Sequence, residues 1–164
     1  MAAPNSWTHE IVSSVAAPRL FFAAVMDWHT LAPKLTPKIV ASAHVVLGDG
    51  HASSVRELHF TKEMPFSCMK ERLDFVDVEK FESKSTLIEG AGIGVWIETA
   101  TTDIKVEPTA DGGCVVKVQW ACKLMPGVEV NDDQLNSAKH SLTGIFKTAE
   151  EYLIANPEAY SKPI

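Results

Sequence analysis

Arg56 stands in a stretch, Ser54 to Thr61, where polar and apolar residues alternate, and it falls on the same side as Leu58 and Phe60. A strand turns successive side chains to opposite faces, so this cation shares a largely apolar face. Glu98 poses the same problem, since its parity is that of Ala100, Thr102, Ile104 and Val106. A charge on such a face must be paired, reach solvent or meet a ligand. Ser83 and Ser85 alternate with Phe81 and Leu87, while Glu82, Lys84 and Thr86 occupy the other side. Two small hydroxyls are therefore expected to face inward. Either they border open space, or neighbours such as Trp120 and Phe60 fill it, because interiors favour close packing.

Other reactive residues point to less. The six histidines, His9, His29, His44, His51, His59 and His140, lack a ligand spacing such as His-Glu-x-x-His, so no metal is expected. Cys68, Cys114 and Cys122 are an odd number with no close pair and read as reduced thiols. Cys114 and Cys122, on one strand, stand about 26 Å apart at strand rise and cannot bond to each other. Gly48-Asp49-Gly50-His51-Ala52-Ser53 lies between two strands and lacks the Gly-Lys-Ser/Thr tail of a phosphate-binding loop, so it reads as a hairpin turn. Gly90-Ala-Gly-Ile-Gly leads into a strand and is no dinucleotide fingerprint.

The elements that position these residues follow from periodicity. Trp7 to Val15 reads as a strand, and Pro18 can open a helix that runs to about Asp27. A second short helix spans Trp28 to Leu35, bounded by Pro33 and Pro37. Strands are then expected at 39–47, 54–61, 66–76, 81–89, 96–107 and 114–124. Ala110-Asp111-Gly112-Gly113 marks the hairpin before the last of them. That strand alternates cleanly, with Cys114, Val116, Val118, Trp120, Cys122 and Leu124 on one face. A long helix closes the chain. Asn131 and Gln134 resemble a capping box, and Leu135, Ala138, Leu142, Ile145, Phe146, Ala149 and Leu153 form its apolar stripe. Gly144 is costly mid-helix and is read as permitting a bend or the close approach of a ligand or strand.

Strands grouped together, rather than alternating with helices, indicate an antiparallel α+β fold. The expected architecture is a seven-stranded antiparallel curved sheet wrapped around a long C-terminal helix. Two short helices lie between strands 1 and 2, and an internal cavity is expected. The 164 residues make one domain, 1–164, with no linker or repeat. With 46% hydrophobic and 22% charged residues, the composition is that of a soluble globular protein. No apolar run reaches the roughly 18 residues of a membrane span, and the first residues lack the basic and apolar segments of a secretory signal. A net charge of −6 argues against a broad electrostatic grip on nucleic acid or anionic lipid.

The order and spacing of several short motifs resemble the birch-pollen-allergen-like class 10 pathogenesis-related proteins of plants. The carriers are Ala17-Pro-Arg-Leu-Phe, Gly48-Asp-Gly, Pro65-Phe66, Lys70-Glu-Arg-Leu-Asp-Phe-Val-Asp, Leu87-Ile-Glu-Gly-Ala-Gly-Ile-Gly, Asp111-Gly-Gly and Glu150-Glu-Tyr-Leu-Ile-Ala-Asn. The resemblance covers nearly the whole chain. It implies a large internal cavity for amphipathic molecules such as flavonoids, hormones or fatty acids. It also implies that Arg56 stands where relatives usually carry lysine. Arg56, Glu98, Glu150 and Tyr152 match the positions proposed for ribonuclease action, in which a carboxylate pair would act as base and acid beside a cation. Ser83, Ser85, Cys68 and Cys122 replace tyrosines common in the family, which removes phenolic groups from the cavity wall.

The expected function is therefore an intracellular, cytoplasmic, monomeric binder of an amphipathic small molecule in plant defence, without a cofactor, a metal or a membrane, and without nucleic acid as a partner. The expected lining is Leu58, Phe60, Cys68, Ser83, Ser85, Ala100, Thr102, Trp120, Cys122, Leu142 and Phe146. The alternatives are a ribonuclease or cavity-based enzyme of specialised metabolism, and a hormone receptor acting through a phosphatase. The catalytic lysine and acid of related condensing enzymes have no match here, nor do the gate and latch loops of the distantly related receptors.

Overall fold

The computed structural model describes residues 5–129 and 132–161. Strand β1 (Asn5–Ser13) leads into helix α1 (Ala17–Phe21), a π turn (Phe22–Met26) and helix α2 (Trp28–Leu35). Six strands follow: β2 (Val40–Leu47), β3 (Val55–Phe60), β4 (Cys68–Asp77), β5 (Glu82–Gly90), β6 (Ile97–Pro108) and β7 (Cys114–Leu124). Helix α3 (Asp132–Ala155) completes the described elements. All seven strands form one antiparallel sheet in the order β1-β7-β6-β5-β4-β3-β2. The expected α+β architecture and element order are therefore present, with boundaries displaced by one or two residues. The proposed capping residue Asn131 lies outside the described residues.

Two details differ from the periodicity reading. The first helix changes to π geometry at Phe22, and the Asp27 N–H bonds the Phe22 carbonyl at 2.8 Å. Pro33 sits inside α2 rather than bounding it. That helix stops at Thr36, whose N–H and Oγ1 both donate to the Ala32 carbonyl, at 2.8 and 2.7 Å. The following Pro37 disfavours helical geometry at Thr36.

Apolar faces assemble two clusters. The larger joins Ile11, Leu20, Phe21, Val25, Trp28, Leu31, Val106, Val116 and Val118 to Phe146, Ala149 and Leu153 of α3. The smaller holds Ile97, Ala100, Trp120 and Cys122, with Leu135 and Ala138 of α3 packed against it. Trp7 stacks on Trp120 there, with ring centres 5.7 Å apart. Burial along α3 is lopsided. Phe146, Ala149 and Leu153 are fully buried, whereas Leu135, Ala138, Leu142 and Ile145 are only partly so. The buried end is also latched. Arg19 donates to the carbonyls of Leu153, Asn156 and Ala159, each at 3.0 Å, which satisfies the end of the helix and the turn after it. Tyr160 hydrogen-bonds Asp27 close by.

Among the described residues no helix is long and apolar enough to cross a membrane. Cys68, Cys114 and Cys122 are free thiols. Burial, with a smaller contribution from the charge of Glu150, pushes the Cys114 thiol up to about 11, and burial also raises Cys122. Both are therefore held as inert thiols at neutral pH.

Candidate functional site

Arg56 on β3 is directly opposed in register to Glu71 on β4, and both side chains turn inward. Its Nη2 donates to Glu71 Oε1 at 2.5 Å, and its Nη1 to the Val25 carbonyl at 2.6 Å. Val25 lies in the last turn of the π segment, where backbone carbonyls lack amide partners within the helix. The guanidinium thus ties the sheet to the helical layer. Arg56 is only 6% exposed, and its Nε, also buried, has no hydrogen-bond partner. His29 stands nearby with a buried, unpartnered Nδ1. Burial, and then the Arg56 charge, lower its pKa.

Next to Arg56 the interior holds a cavity of about 80 Å³. One wall is polar: Arg56, Glu71, Ser83, Ser85 and Thr102. Ser85 and Thr102 face each other across β5 and β6. The remaining wall is Ala24, Val25, Trp28, Leu73 and Ile104, closed by Leu142, Ile145 and Phe146 of α3. The volume is below the roughly 300–1,000 Å³ of sites that enclose a drug-sized ligand. Among the described residues, the large internal cavity expected from the sequence is therefore not present at this place. A wider concavity, about 890 Å³, opens on the outer face of the sheet between Thr8, Glu10, Glu82, Lys84, Asp103, Lys105, Lys117 and Gln119. Cross-strand ion pairs line it, such as Lys105–Glu82 at 2.9 Å, and it is open to solvent, so it is not the interior site.

Six of the residues singled out from sequence meet at the cavity: Arg56, Ser83, Ser85, Thr102, Leu142 and Phe146. The others lie elsewhere. Leu58 is buried in the larger cluster, and Phe60 packs edge-on against Phe66. Ala100, Trp120 and Cys122 belong to the smaller cluster, and Cys68 is half-buried at the start of β4. Sequence reasoning missed Glu71, Trp28, Leu73, Ile104 and Ile145. Glu71 could have been found by asking which acid lies opposite a buried arginine on the next strand.

Glu98 requires a correction, because it does not share the inward face. A bulge between Ile97 and Thr99 shifts the register against β7, and an extra residue reverses every parity before it. Glu98 is exposed on the outer face and pairs with Lys123 at 3.1 Å. Glu150 pairs with Lys147 at 3.6 Å, and Tyr152 lies under the Lys34 ammonium, 5.1 Å from the ring centre. Neither lines the cavity, so the four residues of the ribonuclease reading are not gathered around one space. The 48–53 loop is a closed turn that uses its own donors and the neighbouring strand: Gly50 N–H bonds Ser54 Oγ at 2.8 Å, His51 N–H bonds Asp49 Oδ1 at 3.0 Å, and Ser53 N–H bonds the Leu73 carbonyl at 2.6 Å. Gly144 is exposed, with open space where a Cβ would stand, so nothing approaches it closely.

The model of the pathogenesis-related protein Bet v 1 family matches residues 2–156. The chain belongs to this family. It is 49% identical over 157 residues to pathogenesis-related protein 1 of Asparagus officinalis, covering 95% of this chain and 98% of that protein. It is 33% identical to the major strawberry allergen Fra a 1.08 of Fragaria ananassa, over 93% of this chain and 95% of the allergen. Among solved structures, Ara h 8.0201 superposes with a TM-score of 0.83 at 28% identity, over 93% of this chain and 99% of that one. The polar wall of this Bet v 1 family member's cavity carries two serines and an arginine–glutamate pair.

Proposed function

We propose that this Bet v 1 family protein binds an amphipathic small molecule, such as a plant hormone or flavonoid, between the sheet and the N-terminal half of α3. The observation that carries the reading is the two-sided lining. Hydroxyls and a guanidinium with a free Nε stand on one wall, and Leu142, Ile145 and Phe146 stand on the other. A buried donor without a partner favours a ligand that supplies an acceptor, while the apolar wall favours a hydrocarbon or ring face. Space for such a ligand comes from displacing the part of α3 that is only half-buried. Three free cysteines favour a reducing, cytoplasmic setting, and the asparagus relative's name favours a role in defence. We take the working form to be a monomer.

The test is displacement of a hydrophobic fluorescent probe by flavonoid-like and hormone-like compounds, followed by hydrogen exchange on the saturated protein. One-to-one, saturable displacement is expected, with slowed exchange over 132–145 and little change over 146–155. In Ser85→Tyr, bulky ligands should weaken more than slim ones. No displacement by any such compound in folded protein, or binding that leaves 132–145 unprotected, would overturn the reading.

A further inference from the structure

At the β2 edge of the sheet, far in register from the β1 edge, the outer face carries a group that alternation alone does not reveal. His44 on β2 is directly opposed to Glu57 on β3, and His59 follows Glu57 by two residues on the same face. Antiparallel register thus brings two imidazoles and one carboxylate together from two strands. His44 Nε2 lies 3.9 Å from Glu57 Oε1, and His59 Nε2 hydrogen-bonds the same oxygen. The two imidazole rings stack at 5.9 Å, with 22° between their planes. One potential ligand atom from each residue lies within 4.8 Å of the other two.

We propose that His44, Glu57 and His59 form a surface site for a divalent late transition-metal ion, zinc or copper, with water completing the coordination. The donor set suits such ions: two neutral imidazoles and a carboxylate oxygen are borderline ligands that zinc and copper bind and that calcium or magnesium disfavour. Ligands of a tetrahedral zinc at about 2.0–2.1 Å stand about 3.3 Å from one another, so closing the group around an ion takes shifts of about 1 Å. Half-exposed histidine side chains can make such shifts by rotating. Glu57 is held in place from its other oxygen, because Lys70 Nζ lies 3.4 Å from Oε2 and also pairs with Glu89 at 2.9 Å. That leaves Oε1 for the ion. Lys70 also opposes a nearby cation by charge, so the site is expected to bind at micromolar rather than nanomolar concentration. The consequence for the fold is local, since the ion would clasp edge strand β2 to β3.

The test uses the full chain, free of affinity tag and stripped of metal. Calorimetric titration with zinc chloride should show one saturable site per chain. His44→Ala and His59→Ala should each weaken it by at least the about tenfold that loss of a supporting group costs in other metal sites. His140→Ala, an exposed histidine on α3, should leave it unchanged. Both β-strand histidines are partly exposed, so the variants should fold, and circular dichroism verifies that. On the unaltered protein, electron paramagnetic resonance of bound copper should show coupling to two imidazole nitrogens. No saturable binding at millimolar zinc, unchanged affinity in a variant carrying both His44→Ala and His59→Ala, or copper without nitrogen coupling would each overturn the site.

Discussion

At the scale of single residues, the interior is organised by one ion pair. Arg56 and Glu71 are attached to different strands, and the arginine also fixes the last turn of the π segment through Val25. Removing one member of a buried pair strands the other charge, which typically costs about 3–5 kcal/mol. Arg56→Ala is thus expected to lose most of that amount in urea unfolding, tempered because Glu71 retains some exposure. The double change Arg56→Leu with Glu71→Leu should recover much of the loss, since an apolar pair needs no solvation. If the double variant were as unstable as the single one, the pair would not be the source. The burial of Arg56 was legible from its parity with Leu58. The identity of its partner was not, because alternation assigns a face but leaves the pairing of strands undetermined.

At the scale of elements, the same limit explains both the successes and the error. β7 alternates without interruption, so its inward residues were readable one by one. β6 carries a bulge, and a single inserted residue turned Glu98 from the interior to the outer face. No residue type announces that bulge. The β2–β3 histidine group was hidden for a related reason, since its ligands are neighbours only after register is set. α3 offers a cleaner inference. Gly144 lies within it, exposed and with room for a methyl group. A helical Gly→Ala exchange at such a site gains about 0.5–1 kcal/mol by restricting the unfolded chain. Gly144→Ala should therefore raise the urea midpoint without changing the slope of the transition. A loss of stability would mean that the position is needed for a bend or a close contact.

At the scale of the whole molecule, stability should respond to mild acid through His29. Burial and the Arg56 charge hold its folded pKa below the usual value of about 6.5. As pH falls through that value, the unfolded chain takes up a proton that the folded chain refuses, so the balance shifts towards unfolding. Stability is then complete above about pH 7, declines as pH drops through about 6.5, and levels off once the folded imidazole also titrates. Melting temperature measured from pH 7.5 to 5.5 should fall, and His29→Gln should flatten that slope. An unchanged slope would assign the effect to other groups. The lowered carboxyl pKa values of Asp49, Glu57 and Asp111 act in a separate window, below about pH 5.

The one-sided anchoring of α3 makes it a lever. Its 24 residues span about 36 Å, and the fulcrum is the end held by Arg19, Phe146, Ala149 and Leu153. A tilt of about 10° of the arm that begins at Phe146 raises Leu142 by about 1 Å and the first turn by about 4 Å. Room is therefore created in proportion to distance from the pivot, as a wedge with its thick end at the helix start. A rigid guest would be sorted by taper: one broad at the Phe146 end would have to break the fulcrum, whereas one broad at the Leu135 end need only swing the arm.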